Sequence, residues 1–520
     1  MSSRSLFVAC LLVGALPLSG IAAGAEPDAP LAEAAMRRDI GAVRSLLATK
    51  KADVNATGPD GTTALEWMIR IDDIETAKML LAAGADPLKA NRLGVTPIAL
   101  ASANGNTEMI RILLDKGVDP NTIDPNNEPV SWSAIRSGNV EAVKVLLDRG
   151  ATVDFKDSVR QSSLMLAVRE DYPDIVRLLI SRGADVNSVT RVGATPAFVL
   201  PNSVPGFGHG IGIVRGGLPD RGSRYLIPGG MTPLLYAARD GRMESARLLV
   251  QNGADVKATD PNGITPLLMA ITNNQVETAR FLIERGAEIN VIDWYGRSPL
   301  WSAVEVRNMD VDNATFVNGV NREPVLELIK ILLDKGADPN VRTAETPPIR
   351  RFILPITGSL EWVDFVGMTP FIYAARAGDL TVMKLLLEHG ANPKIPTFSG
   401  TTALMAAAGM NWTFAQTYDE GTDNLLEAVK LCLDLGMNIN DANSMGLTAL
   451  HAAANRPGSD PIIKFLVEKG AKLDAKDAEG RTPLAWAEGV FLATHPGVPK
   501  PSAIELIKGY MTAQNIKTND

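Results

Sequence analysis

The chain has 520 residues, 46% of them hydrophobic, which is enough apolar material for a long continuous core. Its formal net charge is −8, and an acidic balance argues against nucleic acid and anionic membrane surfaces as partners. With only two cysteines in that length, stability has to come from packing rather than from a disulfide framework.

The first 25 residues read as an export signal, not as fold. Arg4 gives a positive start, Leu6 to Leu18 is almost unbroken apolar sequence, and Ala23-Gly24-Ala25 fits the small-residue cleavage rule, leaving Glu26 as the new N-terminus. The apolar run is too short for a good membrane span. Cys10 sits too early in it for a lipoprotein attachment site. The expected mature protein is periplasmic or secreted, has no integral membrane segment, and carries Cys432 as its single thiol. The setting Leu431-Cys432-Leu433 reads as a packed helix face.

Beyond the signal, one block returns along the chain, usually at a step of 33 residues: Leu-Leu-x-x-Gly-Ala-Asp, then Gly-x-Thr-Pro-Leu. Gly61 and Gly94 mark the glycine slot. Asn127 and Arg160 occupy it without being glycine, Gly193 follows, and the slot returns at Gly230, Gly263, Gly296, Gly367 and Gly400. A fixed period of this length means a stacked repeat array, whose usual work is to present a surface.

Residues 91–123 show why each copy folds. Asn91-Arg92-Leu93-Gly94 reads as a tight turn. Thr96 suits a helix cap and Pro97 a first helical position, where no N–H is needed. Ile98 to Ala103 forms a short first helix of small residues, ended by Gly105. A second helix runs from about Thr107 to Lys116, with Met109, Ile110, Leu113 and Leu114 on one face and Gly117 in the left-handed cap slot. Helices this short are marginal alone, so each pair depends on the next pair stacking against it.

Gly230-Met231-Thr232-Pro233-Leu234, Ala237-Ala238-Arg239-Asp240-Gly241, Leu248-Leu249 and Gly253-Ala254-Asp255 together resemble an ankyrin repeat. The signature recurs at Gly263 to Leu267, Gly367 to Pro370 and Gly480 to Leu484, in roughly twelve units. The resemblance implies an all-α ankyrin-repeat solenoid of helix–turn–helix units, with β-turn or hairpin tips and several loop insertions. The histidine that the family places after Thr-Pro-Leu survives only as His451. Ala99, Trp132, Met165, Leu235, Leu268, Trp301, Ile372 or Met405 stands there in other units. Apolar packing is expected to replace the family hydrogen bond in those units, and the units at Asn127 and Arg160, which also lack the Thr-Pro start, are expected to be weaker or more irregular.

This gives an N-terminal capping repeat over 26–57, repeats over 58–189, 227–342 and 364–476, and a C-terminal capping repeat over 477–520. Gly/Pro-rich residues 190–226 form a long insertion, either a finger between turns or a decayed repeat. Residues 306–322 and 411–423 separate the two helices of a unit, 343–363 lengthen a turn, and a smaller break lies at Thr494 to Pro501.

No catalytic constellation emerges. His389 ends a second helix, while His209 and His495 lie in loops. Gly206 to Gly212 lacks the Lys-Ser/Thr ending of a phosphate loop, and Asp310 to Asn313 lacks the glycine and glutamate of a calcium hand. No cofactor or metal is expected. Asn55, Asn313 and Asn411 begin glycosylation triplets, which matter only in a host that glycosylates.

Surface positions are the better candidates. In ankyrin proteins partners usually meet the turn tips and the concave face of the first helices, and one slot on that face holds Arg70, Arg136, Arg169, Arg239 and Arg376. Such a row suits carboxylate recognition. The competing reading, which carries more weight, is solvated surface partly paired with neighbours such as Glu170 and Asp240. At the tips, Trp294, Tyr295, Phe365 and Phe398, with Trp362 in the adjacent insertion, read equally as partner anchors and as packing for nearby inserts. The expected function is a noncatalytic, monomeric interaction scaffold that binds a protein or peptide, and the span from Gly230 to Gly446 is the first place to look. The competing classes are an enzyme or small-ligand protein with a pocket of inserted loops against the concave face, and a structural spacer.

Overall fold

The structure is a computed structural model in which residues 29–193, 229–308, 321–344, 366–410, 420–490 and 497–517 are described. Residues 1–28, most of each long insertion, Trp362, Phe365, His209 and His495 lie outside those residues. The described chain holds 24 helices, which pair into twelve units, and no strands beyond isolated bridges such as Thr57–Thr63 and Ile123–Pro129. It divides into two compact units, ending and beginning at Thr152 and Val153.

The first unit stacks four pairs: α1 (Pro30–Met36) with α2 (Ile40–Thr49), α3 (Ala64–Arg70) with α4 (Ile74–Ala82), α5 (Pro97–Ala103) with α6 (Thr107–Asp115), and α7 (Val130–Ser137) with α8 (Val140–Asp148). The second stacks eight. It begins with α9 (Ser163–Arg169) and α10 (Pro173–Ser181), α11 (Pro233–Asp240) and α12 (Met243–Gln251), then α13 (Pro266–Thr272) and α14 (Val276–Glu284). Next come α15 (Pro299–Arg307) with α16 (Arg322–Asp334), and α17 (Pro370–Ala377) with α18 (Leu380–Glu388). It ends with α19 (Ala403–Ala407) and α20 (Thr422–Asp434), α21 (Ala449–Asn455) and α22 (Asp460–Glu468), α23 (Pro483–Gly489) and α24 (Pro501–Ala513).

Local chemistry sets each helix start. Thr96, Thr232, Thr265, Thr369, Thr402 and Thr482 cap first helices with the hydroxyl, and five of the six are followed by a proline whose missing N–H costs nothing there. Packing then supplies most of the stability. Leu65, Met68, Ile98, Met109, Ile110 and Leu113 are fully buried in the first unit, and burial of each such side chain contributes roughly 1.5–3 kcal/mol.

Two hydrogen-bond devices join successive pairs. At one edge, an Asp or Asn opens the turn and its carboxylate or amide oxygen accepts two closing N–H groups, as Asn91 does from Leu93 and Val95, and Asp293 from Tyr295 and Arg297. At the opposite edge an asparagine staples several of the units to the one that follows. Asn121 donates to the Gly150 carbonyl and accepts from Thr152 N–H, and Asn340 does the same with Gly390 and Asn392.

These devices show how the stack absorbs its inserts. The turn opened at Thr190 closes on Met231, N to O at 3.0 Å, and the turn opened at Thr343 closes on Met368 at 3.3 Å. Both tip turns use threonine, whose hydroxyl accepts the closing N–H, from Met231 and Met368 at 2.9 Å each. Asn187 still staples to Gly253 and Asp255, so α9 and α10 stack directly on α11 and α12. The turns at Asn127 and Arg160 themselves are regular. Each takes positive φ (62° and 60°) and closes with its N–H on the carbonyl of Asp124 or Asp157 at 2.9 Å.

Candidate binding surface

The arginine slot lies near the C-terminal end of the first helix, directly after buried apolar residues, and its five members have different surroundings. In the first unit, Arg70 stands over the Trp67 ring, its Cζ 4.9 Å from the centroid. Arg136 makes a paired contact with Glu128, 2.5 and 2.8 Å, and faces the Trp132 ring.

In the second unit, Arg169 and Arg239 flank the half-buried Tyr236, with Cζ 5.7 and 4.9 Å from its ring centroid. Arg239 is held by the carboxylate of Asp240 through Nε at 2.7 Å and Nη2 at 2.9 Å, and that bond raises its pKa above the ordinary value. Arg169 is exposed, and its side-chain acceptor is the neutral Gln161 Oε1 at 2.7 Å. Burial raises the Tyr236 phenol pKa, while the two cations oppose that shift.

Arg376 does not join the row. It is only 3% exposed, stands 5.4 Å from the Tyr373 ring and interacts with Glu305, which occupies the same slot one unit earlier. Burial lowers its guanidinium pKa. Pairing is general in the slot where acids are near, as the solvated-surface reading holds, but Arg70 and Arg169 have no carboxylate partner among the described residues.

The tip aromatics also separate. Trp294 is 40% exposed beside exposed Ile292, whereas Tyr295 is only 6% exposed, on the packing side of the two readings, with the Arg297 guanidinium 5.3 Å from its ring. Phe398 is 49% exposed on one side and covered on the other by Arg342, 4.0 Å from the ring centroid. Arg342 also donates to the carbonyls of Gly367 and Pro396, bracing the foot of the inserted turn. Gly367 is needed here: at φ 85°, a side-chain Cβ would lie 2.5 Å from Phe398 N.

The sequence reading missed a charged cluster beneath two inter-helix inserts. Arg307 Nε reaches Asp379 Oδ2 at 2.8 Å, and Arg322 reaches the same oxygen at 3.4 Å. Arg322 also pairs with Glu420 and donates to Asn308 Oδ1. The two arginines donate to each other's carbonyls, closing the ends of the 309–320 connection, and Glu420 lies just after 411–419. Among the described residues two cations and two anions balance, so the cluster acts as a structural joint. Its sequence signal was the concentration of Arg, Asn and Glu at the feet of both inserts.

His451 and Trp301 occupy equivalent slots and both donate to the next unit: Nε2 to the Arg481 carbonyl at 3.2 Å, and Nε1 to the Met368 carbonyl at 3.0 Å. The expectation that apolar packing replaces the family hydrogen bond therefore fails at Trp301. Cys432 is fully buried, and burial pushes its thiol up to about 12, an inert setting. Among the described residues no three His, Cys, Asp or Glu converge on a metal-sized site, and no helix is long and apolar enough to cross a membrane. An open groove of about 300 Å³ lies at the starts of α12, α14 and α16, lined by Met243, Gln275, Val276, Glu277, Asn321 and Pro324 among others.

A sequence model of ankyrin repeats (3 copies) matches residues 31–124, 98–190, 234–343, 320–416 and 420–489, well over half of the chain. An ankyrin repeat-containing protein of Schizosaccharomyces pombe is 31% identical over 111 residues, 21% of this chain and 48% of that protein. The mouse B-cell lymphoma 3 protein homolog is 32% identical over 129 residues, 25% of this chain and 26% of its own. A palmitoyltransferase of Lachancea kluyveri is 27% identical over 180 residues, 34% of this chain but 20% of the enzyme. The chain thus spans about half of the Schizosaccharomyces ankyrin protein, about a quarter of the mouse protein and a fifth of the palmitoyltransferase.

Proposed function

Because the chain belongs to the ankyrin-repeat family, we propose that it is a noncatalytic interaction scaffold whose protein or peptide partner docks on the first-helix face around Arg169, Tyr236 and Arg239. The observation that carries this reading is the asymmetry of the two cations on one ring. Arg239 is neutralised by Asp240, whereas exposed Arg169 keeps guanidinium donors beyond its bond to Gln161. A planar, stacked guanidinium with spare donors suits a carboxylate on a partner. Trp294 and Phe398 offer apolar anchors at the tips. The groove at the starts of α12, α14 and α16 is open and brings no arginine or histidine to its lining, which favours docking over a reaction pocket.

A photocrosslinking residue placed at Arg169 or Trp294 in the native host should give a discrete adduct, and one at Lys384 on α18 should not. Adding Arg239→Glu to the Trp294 probe should reduce its adduct severalfold. Equal labelling at all three positions, or none, would remove the proposal. It includes export through residues 1–25: N-terminal sequencing of protein recovered from the host should begin at Glu26, and an intact Met1 start would refute that part.

A further inference from the structure

The slot that holds His451 and Trp301 in two units holds a carboxyl in another, Glu66. The three share a task on their own helix cap or with the next turn. His451 Nδ1 meets Thr448 N–H and Oγ1 at 3.2 and 2.9 Å, and its Nε2 donates to the carbonyl one residue before the next cap threonine. Trp301 Nε1 donates to the equivalent carbonyl, Met368 O. In each unit, then, an N–H crosses to that carbonyl. Glu66 is fully buried and reproduces the first half of the arrangement, its Oε2 accepting from Thr63 N–H at 2.7 Å and Thr63 Oγ1 at 3.0 Å. Its Oε1 is buried with no hydrogen-bond acceptor role filled. By register, the facing carbonyl is that of Val95, just before the cap threonine Thr96.

An ionised carboxylate there would set a negative oxygen toward a carbonyl lone pair and leave a buried charge without a cation. We propose that Glu66 serves in the folded chain as a neutral acid donating its Oε1–H across the joint to the next turn, and that loss of this proton to solvent loosens the joint between α3 and that turn.

The surroundings agree. Burial is the main influence on the Glu66 carboxyl and moves its pKa above the ordinary value; Asp60 adds to this, while Thr63 and the Asn91 N–H oppose it. No cation is among the main influences on it or pairs with it among the described residues, Arg70 on its own helix and Arg92 in the facing turn included. Of the elements packed on α3, α5 has no titratable side chain. In α1, Glu33 pairs with Arg37. At α4, Asp73 caps the helix, and Glu75 pairs with Lys78, which also holds Glu108. A raised folded pKa means that this carboxyl's contribution is complete below the ordinary carboxylate range and is lost as pH rises through the folded value. His451 runs the other way. Burial lowers its pKa, so its contribution is present above the ordinary imidazole range and is lost as pH falls toward the folded value.

The test is hydrogen exchange by mass spectrometry on the full chain from pH 5 to pH 9, corrected for intrinsic rates, following peptides across 58–70 and 88–97. Protection at this joint should fall severalfold as pH rises, while Glu66→Gln should hold the low-pH level throughout, since its amide supplies the donor. Glu66→His should invert the profile, losing protection only toward low pH, as is expected of the 448–451 joint. The proposal is overturned by constant protection in the unsubstituted chain, or by the same fall in both variants. Should Glu66→Gln not fold, the unsubstituted chain and Glu66→His still decide the matter: parallel profiles refute it and opposed profiles support it.

Discussion

Asp73 and Asp379 do the same local job in regions built differently. Each caps the second helix of its unit, accepting a backbone N–H three residues on, from Thr76 at 3.0 Å and Val382 at 3.1 Å. Around Asp73 the repeat is uninterrupted, and the carboxylate's other bond is to the Thr76 hydroxyl. Around Asp379 two units carry inserts between their helices, the outer helices α16 and α20 lengthen to 13 residues, and the same carboxylate takes Arg307 and Arg322. An insert that enters between two helices brings charged feet into the stack, and a cap that serves one helix elsewhere becomes the centre of a buried ionic joint here.

The strongest way to break that comparison is to remove both carboxylates in turn. Asp73→Ala should cost about 1 kcal/mol, the usual value of a lost cap. Asp379→Ala should cost about 3–5 kcal/mol, because it leaves the buried Arg307 and the part-buried Arg322 without their shared anion. Urea unfolding read by local hydrogen exchange over α4 and α18 checks both. Similar losses at the two positions would mean that the cluster around Asp379 adds nothing to the cap.

A smaller effect sharpens the same contrast from the other edge. Asn121 and Asn340 each make two bonds to the following unit, but Asn340 does so across the 345–365 tip insert. Replacing either by alanine should cost roughly 1–3 kcal/mol, the two values agreeing within error, from a pair of hydrogen bonds at about 0.5–1.5 kcal/mol each. A clearly larger loss at Asn340 would show that tip inserts load the opposite edge, which the unbroken staples argue against.

What was legible in the sequence follows from this contrast. Thr-Pro starts, left-handed glycines and the Leu-Leu face are set by local chemistry, so the period disclosed the helix pairs and the places where inserts enter. Arg376 was misplaced and Tyr295 was open to two readings because exposure at a slot depends on what covers it, and nothing local announces that cover. The bond from Arg307 to Asp379 spans 72 residues and the pair of Arg322 with Glu420 spans 98, so no short window contains both partners. Glu66 was readable as a departure from the histidine slot, but its isolation from cations shows only in three dimensions. Gly193 keeps the numerical period, yet the turn opened at Thr190 closes on Met231: register in sequence and pairing in space part company where a tip is lengthened.

The smallest expected effect concerns the two slots without glycine, one in each compact unit. Asn127 and Arg160 adopt φ of 62° and 60°, where the glycines of other turns lie between 74° and 87° among Gly61, Gly94, Gly263, Gly296, Gly367, Gly400, Gly446 and Gly480. An L-residue there costs roughly 1–2 kcal/mol, less for asparagine, whose short side chain tolerates this conformation. Glycine removes that strain but gives the unfolded chain more freedom, a loss of about 0.4–1 kcal/mol. Arg160→Gly should therefore stabilise its unit by a few tenths of a kcal/mol up to about 1 kcal/mol, and Asn127→Gly should change little. Chemical denaturation of the two single variants reads both. If Arg160→Gly lowers stability instead, the Arg160 side chain makes a contact that outweighs its backbone strain, and turn regularity in that unit comes from the side chain rather than from the Asp157 bonds.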